Sequence, residues 1–148
     1  MKFSNKETII QNINQIEGQH WLAIMKLRSE SFVSEQKCVY TDPDEFDIVA
    51  SHVSVLSENE LIGYARVFKS NRWNIGRVAV GKDYRGNGLG VEIMNTSFNH
   101  IASIDPKSEI ELSAQLYLSK FYQSLGFVIH DSMYLEDGIP HLKMVYAP

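Results

Sequence analysis

Cysteine occurs once in the 148-residue chain, at Cys38, so no intramolecular disulfide can form and no Cys-rich metal site exists. No run approaches the ~20 apolar residues of a membrane span. The opening stretch Met1-Lys2-Phe3-Ser4-Asn5-Lys6-Glu7 lacks the apolar core of a signal peptide. These absences read as a cytoplasmic protein. Basic residues are not gathered into a block: 14 Lys and Arg stand against 18 Asp and Glu, a net charge of −4 with His neutral. That balance leaves no footprint for nucleic acid or anionic lipid, so neither a nucleic-acid nor a membrane partner is expected. The five histidines show no ligand-like clustering, and no metal is expected. Repeats, low-complexity tracts and linkers are missing as well. What remains, 44% hydrophobic and 22% charged residues, is ordinary for a globular chain and reads as one domain over residues 1–148.

The first helical pattern runs from Gln19 to Val33, with Trp21, Leu22, Ile24, Met25, Leu27 and Phe32 as a broad apolar face. A short strand can precede it. From Glu35 to Ala50 the chain turns polar and acidic, and Asp42-Pro43-Asp44-Glu45 reads as a solvated loop. Strands are predicted at His52–Leu56, Leu61–Phe68 and Trp73–Val80, and the short polar turns between them favour antiparallel neighbours. A glycine-dense stretch, Gly81 to Gly90, then opens a helix of about three turns on Leu89, Ile93, Met94, Phe98 and Ile101, with Asp105-Pro106 beyond it. Glu109–Gln115 reads as a strand and Leu118–Leu125 as a short helix stopped by Gly126. Phe127–Leu135 and Leu142–Tyr146 flank an Asp137-Gly138 hairpin turn. The fold class is α/β (α+β): a mixed, mainly antiparallel sheet with helices packed on it.

The chemistry concentrates in Ile75-Gly76-Arg77-Val78-Ala79-Val80 followed by Arg85-Gly86-Asn87-Gly88-Leu89-Gly90. Glycine lets a backbone take positive φ and lets a ligand approach closely. A helix start offers unpaired N–H groups and a partial positive charge. Together they make a seat for a pyrophosphate, to which Arg85 adds a charged donor. A tight strand-to-helix turn without a ligand is the other reading of the same residues. No Gly-x-x-x-x-Gly-Lys-Ser/Thr is present, and the glycines at 86, 88 and 90 do not fit Gly-x-Gly-x-x-Gly, so the common nucleotide loops are disfavoured.

Arg85-Gly86-Asn87-Gly88-Leu89-Gly90 resembles the Arg/Gln-x-x-Gly-x-Gly/Ala pyrophosphate motif of the Gcn5-related N-acetyltransferases, the GNAT superfamily. Phe121-Tyr122-Gln123-Ser124-Leu125-Gly126-Phe127 resembles that family's second landmark, in the right order. Phe32-Val33-Ser34-Glu35-Gln36, Tyr64-Ala65-Arg66, Ile75-Gly76-Arg77-Val78, Ala114-Gln115 and Glu136-Asp137-Gly138-Ile139-Pro140-His141 look like motifs of the ElaA-type subgroup. The resemblance covers the chain from about residue 20 onward. It implies a GNAT fold with helices on both faces of a sheet splayed between Trp73–Val80 and Glu109–Gln115, where acetyl-CoA lies as cosubstrate. It implies transfer of the acetyl group to a small-molecule or peptide amine by direct attack in a ternary complex, and relatives are often homodimers.

Carried over residue by residue, the resemblance implies cofactor contacts from Val78, Ala79 and Val80, where Val80 is the candidate backbone donor to the acyl oxygen. It implies further contacts from Arg85, Gly86, Asn87, Gly88, Leu89 and Gly90, from Gln115 where many relatives carry Asn, and from Ser119, which otherwise reads as a helix cap. Tyr122 is the implied general acid, since a phenol of ordinary pKa near ~10 stays protonated at neutral pH. Without the resemblance it reads as a core tyrosine beside Phe121 and Leu125. The general base has no fixed address, because Ile75–Val80 holds no carboxylate; Glu35, Glu111 and His141 are the candidates. Arg28, Arg66 and Arg77 are further candidates, although a strand arginine more often meets solvent or a carboxylate. A covalent role for Cys38 is disfavoured, as nothing nearby in sequence would stabilise its thiolate. A domain that binds an acyl-CoA without turnover is the alternative function.

Overall fold

The computed structural model describes residues 3–37 and 40–148; Cys38 lies outside the described residues. In chain order the first half runs β1 (Lys6–Asn12), α1 (Gly18–Ser29), α2 (Phe46–Val49), β2 (Ser51–Ser57), β3 (Glu60–Lys69) and β4 (Trp73–Val80). The second half runs α3 (Leu89–Ile104), β5 (Ile110–Gln115), α4 (Ser119–Ser124), β6 (Val128–Ile129), β7 (Tyr134–Glu136) and β8 (Ile139–Tyr146). Among the described residues the strands make one eight-stranded sheet in the order β1-β2-β3-β4-β5-β8-β6, with β7 also on β8.

β1 to β4 form an antiparallel meander, with Thr8 opposite Val55, Val53 opposite Ala65, and Val67 opposite Ile75. Its hairpins follow from local turn chemistry. Glu58 and Asn59 take φ of 50° and 64°, and Asp137 and Gly138 take 52° and 79°. Positive φ at both central residues is the type I′ turn, whose hand matches the strand twist. β4 and β5 are parallel neighbours at two register pairs, Trp73 with Ile110 and Asn74 with Glu111. β5 then stays with β8 all the way from Ile110 opposite Tyr146 to Gln115 opposite His141, so the sheet opens between β4 and β5.

The opening coincides with a bulge. Tyr64 faces Ala79 and Arg66 faces Gly76, so Ala65 alone stands against both Arg77 and Val78. Arg77 carries the irregularity in its backbone, with φ of 50°. An extra residue of this kind bends and over-twists its strand, which turns the end of β4 away from β5.

Two apolar layers hold helices to the sheet. Leu89, Ile93, Met94 and Ile101 of α3 are buried against Val53, Val55, Ala65, Val67 and Ile75. Each fully buried side chain of this size stabilises the fold by about 1.5–3 kcal/mol. Ser97, buried among them, returns its hydroxyl to the Ile93 carbonyl at 2.8 Å, the usual way a mid-helix serine satisfies itself. Ile24 and Leu27 of α1 pack instead with Tyr64 and Ala79. Tyr64 and Ala65 are consecutive in β3 and serve different layers, as strand alternation requires.

Several expectations need correction. α3 has 16 residues and is longer than three turns. The 19–33 helix is α-helical only to Ser29, then winds as a π turn over Glu30–Ser34, with Glu35 N–H bonded to the Glu30 carbonyl at 3.0 Å. The stretch from Phe127 to Leu135 is no continuous strand; β6 and β7 are separated, and Val128 and Leu135 stay exposed at the sheet edge. The segment 35–50 contains α2, and within its acidic run Asp42 and Asp47 are buried, Asp44 is half-buried and Glu45 is exposed.

Candidate active site

At the start of α3 the chain forms a cradle. Gly86 and Gly88 hold φ of 79° and 77°, values a side chain resists. Gly88 is the N-cap residue and offers no side chain to the helix, so the first amides of α3 are left for a ligand. A cleft of about 220 Å³ lies over this turn, lined by Val80, Arg85, Gly86, Gly88, Leu89, Gly90 and Phe121 among others. Leu89 and Asn87 contribute differently from their neighbours. The Leu89 side chain belongs to the core, and Asn87 Nδ2 donates to the carbonyls of Tyr84 and Arg85, both at 3.1 Å, bracing the loop.

Arg85 is aimed from both ends. Its Nε donates to the Val80 carbonyl at 3.0 Å, and Nη1 and Nη2 reach the two oxygens of Glu35 at 2.8 and 2.6 Å. The hydrogen bond from Arg85 holds the Glu35 carboxyl below its ordinary pKa, and Glu35 raises that of Arg85. Glu35 therefore sits at the cradle, as a partner of the arginine.

Beside the cradle, where β4 leaves β5, is a cavity of about 370 Å³. Val78, Gln115, Tyr122 and His141 all line it, and the turn after α1 adds Phe32 and Gln36. Val78 thus faces the cavity and Val80 the cradle, while the Ala79 side chain turns to α1. Tyr122 is 7% exposed, with its ring against Phe121 and Phe127 at centroid distances of 5.1 and 6.0 Å. Its hydroxyl has no hydrogen-bond partner among the described residues, and burial pushes the phenol up to about 12. The neighbouring α4 ends in a Schellman motif: Phe127 N–H reaches the Tyr122 carbonyl at 3.1 Å and Gly126 N–H that of Gln123 at 3.0 Å. Ser119 is the first residue of α4 and makes no capping bond, contrary to its expected use; it does not line the cavity.

His141 is 6% exposed and stacks on Tyr134 at 6.1 Å. Nδ1 lies 2.7 Å from the Ile139 carbonyl. A carbonyl only accepts, so Nδ1 carries the hydrogen and the lone pair of the neutral ring is on Nε2. Nε2 stands 3.5 Å from Glu136 Oε2, which also lines the cavity. Glu111 is held elsewhere, 3.4 Å from both Arg72 Nη1 and Lys143 Nζ, and is not part of the cavity wall.

The acidic run closes the other side. Arg28, fully buried, gives Nε to Asp42 at 2.8 Å and Nη1 and Nη2 to Asp47 at 2.7 and 3.2 Å. Arg66 Nη1 reaches Asp44 at 2.7 Å and Asp47 at 3.1 Å; Arg77 Nε reaches Asp42 at 2.8 Å. His52 joins through both nitrogens, with Nε2 donating to the Asp47 carbonyl at 2.9 Å and Nδ1 accepting from Tyr64 Oη at 2.6 Å. Burial lowers the His52 pKa, which keeps the ring neutral in this role. Three arginines against three aspartates make the cluster neutral, which is what allows it to be buried. It staples Tyr40 and Asp44 into the cavity wall. The solvated loop expected for Asp42–Asp47 holds for exposed Pro43 and Glu45 only; Asp42 and Asp47, with half-buried Asp44, form a buried ionic layer. Its sequence signal was there: Arg28, Arg66 and Arg77 all lie on elements with buried neighbours and need carboxylate partners. Glu136 was also overlooked, because its place beside His141 depends on the β7–β8 hairpin.

Among the described residues no group of His, Cys, Asp or Glu could hold a metal ion, and no helix is long and apolar enough to cross a membrane. A cradle of left-handed glycines and helix-start amides beside an arginine is an arrangement able to bind a pyrophosphate, and it lies next to a sheet cleft. The family model for the Acetyltransferase (GNAT) domain matches residues 31–148, and the chain belongs to that family, whose members use acetyl-CoA or another acyl-CoA. It is similar to Escherichia coli ElaA, 38% identical over 128 residues that span 82% of this chain and 84% of ElaA. The crystal structure of E. coli ElaA superposes with a TM-score of 0.90 over 95% of this chain and 99% of that one, at 33% identity. An acyl-CoA N-acyltransferase from Pseudomonas aeruginosa superposes with a TM-score of 0.91 over 97% and 100%, at 31% identity.

Proposed function

We propose that the protein moves an acetyl group from acetyl-CoA to a primary amine of a small molecule or peptide, by direct attack while both are bound. One observation carries the reading: the parting of β4 and β5 opens a cavity that Val78, Tyr122 and His141 share, next to the Arg85 cradle. The residues fit the cosubstrate, since free amides and a bidentate guanidinium are the donors a pyrophosphate needs.

Acetyl-CoA supplies an activated acyl thioester. Arg85 and the main chain from Gly86 to Gly90 bind the pyrophosphate, and Gln115 orients the chain leading to the thioester. The main-chain N–H of Val80, in the stretch Val78–Val80, donates to the acyl oxygen as it gains charge. Tyr122, with its phenol pushed up to about 12, holds its proton through neutral pH and gives it to the departing sulfur. His141 Nε2 takes the proton of the attacking amine. Glu35 and Glu111 are poorer bases because cations hold their carboxylates.

Calorimetric titration with acetyl-CoA, with ATP and NAD as controls, tests the first half. Binding specific to acetyl-CoA and weakened about tenfold or more in Arg85→Ala is expected. Thiol release with a panel of amines tests the second half, and Tyr122→Phe should slow it by about 10²-fold without loss of acetyl-CoA binding. Binding without CoA release for any amine would mark a sensor instead of an enzyme. Folded protein that binds no CoA ligand would end the proposal.

A further inference from the structure

The geometry points to a seat for a protonated amine made by Glu136 and His141, which fixes the acceptor as an alkylammonium-type amine, to the exclusion of neutral arylamines and hydroxyl compounds. The inference rests on the acyl-transfer reading above and adds the specificity determinant.

The argument begins with the hairpin. The Asp137-Gly138 turn folds β7 onto β8 and brings Glu136 opposite Ile139, the residue whose carbonyl fixes the His141 tautomer. A chain of hydroxyls then orients the Glu136 carboxylate. Tyr134 Oη and Ser113 Oγ are in short contact, and Ser113 Oγ donates to Glu136 Oε1 at 3.4 Å. Since the serine hydrogen goes to the carboxylate, the tyrosine must be the donor of the short contact. Oε1 is thereby occupied and Oε2 is left over, 3.5 Å from His141 Nε2.

In the neutral form of the ring Nε2 is an acceptor, as Oε2 is. Two acceptors at this separation, both on the cavity wall, lack the hydrogen that would bind them. An ammonium supplies two N–H donors at once, and a nitrogen about 2.9 Å from each atom satisfies both. The carboxylate also contributes charge. Across the cavity, Arg77 is engaged by Asp42 and Asp44, so the cation there is already balanced. Tyr122, a residue 7% exposed, lines the same cavity. An alcohol has one donor and no charge, and an arylamine is neutral at pH 7; neither replaces the ammonium. The ammonium must lose a proton before it attacks, and Nε2, already hydrogen-bonded to it, is the atom that receives it.

The test uses the full chain loaded with CoA, so that no turnover occurs, and follows the His141 ring C–H signal by NMR, assigned by its absence in His141→Gln. Benzylamine is the probe and benzyl alcohol its uncharged counterpart. Benzylamine should move the signal saturably at neutral pH while benzyl alcohol does not. Glu136→Gln should weaken the amine about fivefold, as for a half-exposed ion pair, and Glu136→Asp should recover part of that. The proposal is overturned if the alcohol moves the signal equally, if Glu136→Gln binds the amine unchanged, or if the amine has no effect on protein that binds CoA. Failure to bind CoA in the first place would take down the acyl-transfer reading and this inference with it.

Discussion

Replacing Arg28 by methionine removes the centre of the buried ionic layer while nearly keeping side-chain volume. Asp42 then loses a bond of 2.8 Å, and Asp47 loses bonds of 2.7 and 3.2 Å. Orphaning a buried carboxylate costs about 3–5 kcal/mol. Arg77 still reaches Asp42 at 2.8 Å and Arg66 still reaches Asp47 at 3.1 Å, so the lower end, about 3 kcal/mol, is expected. For a chain of this size that is roughly 6–12 °C in Tm. The pH dependence gives a sharper signature. Burial alone would raise the Asp47 pKa, but the Arg28 hydrogen bond, the Asp44 amide and the nearby cations outweigh it and bring the carboxyl to about 2 from an ordinary 3.8. A depressed carboxyl contributes stability that is whole above the unfolded value and is lost as pH falls towards the folded one. In the variant burial is less opposed, the folded value moves back towards the unfolded one, and the acid-dependent loss that Asp47 contributes should shrink, so stability falls less steeply with acid than in the parent. Urea unfolding followed by circular dichroism, repeated from neutral pH down to about pH 3, measures both effects. Replacing Arg28 and Asp47 together by Met and Leu should recover part of the loss, since an apolar pair leaves fewer stranded charges. A loss under about 1 kcal/mol with an unchanged pH profile would refute the account of this layer.

Other outcomes can be checked with the same preparations. His52 has its pKa lowered by burial; a folded value below the unfolded one makes stability fall as pH drops below the ordinary histidine value near ~6.5, and His52→Gln should flatten that slope in urea titrations. Gly126→Ala puts a Cβ 3.0 Å from the Tyr146 ring at a φ of 102° and should lower stability by about 1–3 kcal/mol in denaturant unfolding; no measurable loss would show that the end of α4 can relax. Glu35→Gln frees the Arg85 guanidinium, and acetyl-CoA should bind up to about fivefold tighter by calorimetry, the range of an exposed ion pair; weaker binding would mean that Glu35 positions the arginine for its ligand.

Where local chemistry decided the outcome, the sequence was readable. Trp73–Val80 has the limits its turn residues suggested, and Asp137-Gly138 makes the hairpin its composition called for. The cradle was legible because glycine spacing is itself a backbone statement. Asp42–Asp47 was not, because polarity marks a loop only if the charges stay solvated, and here partners from α1, β3 and β4 gather around them. Phe127–Leu135 reads as one β-type segment, yet it holds two short separate strands at the edge of the sheet. The three base candidates could be told apart only in space. Tertiary pairing gives Glu35 to Arg85, Glu111 to Arg72 and Lys143, and leaves His141 in the cavity.

The extra residue in β4 also changes the phase of the strand. Before it, Trp73 and Ile75 point towards the α3 layer; after it, Val78 and Val80 do, and odd-numbered Ala79 has moved to the α1 layer. One strand thus runs in two opposite parities, joined at Arg77-Val78. Removing a single residue there would make the ladder with β3 regular and keep Ala79 opposite Tyr64 and Val80 opposite Gly63, but it would take away the bend that turns the end of β4 from β5. Val80 and Gly81, whose N–H bonds to the Ile62 carbonyl at 2.8 Å, would keep their partners on β3, while a straightened β4 would run on beside β5 and narrow the cavity between them. The irregular residue is what lets a two-layer sheet hand its end to a ligand, so this point in the chain should tolerate substitution far better than a change in length.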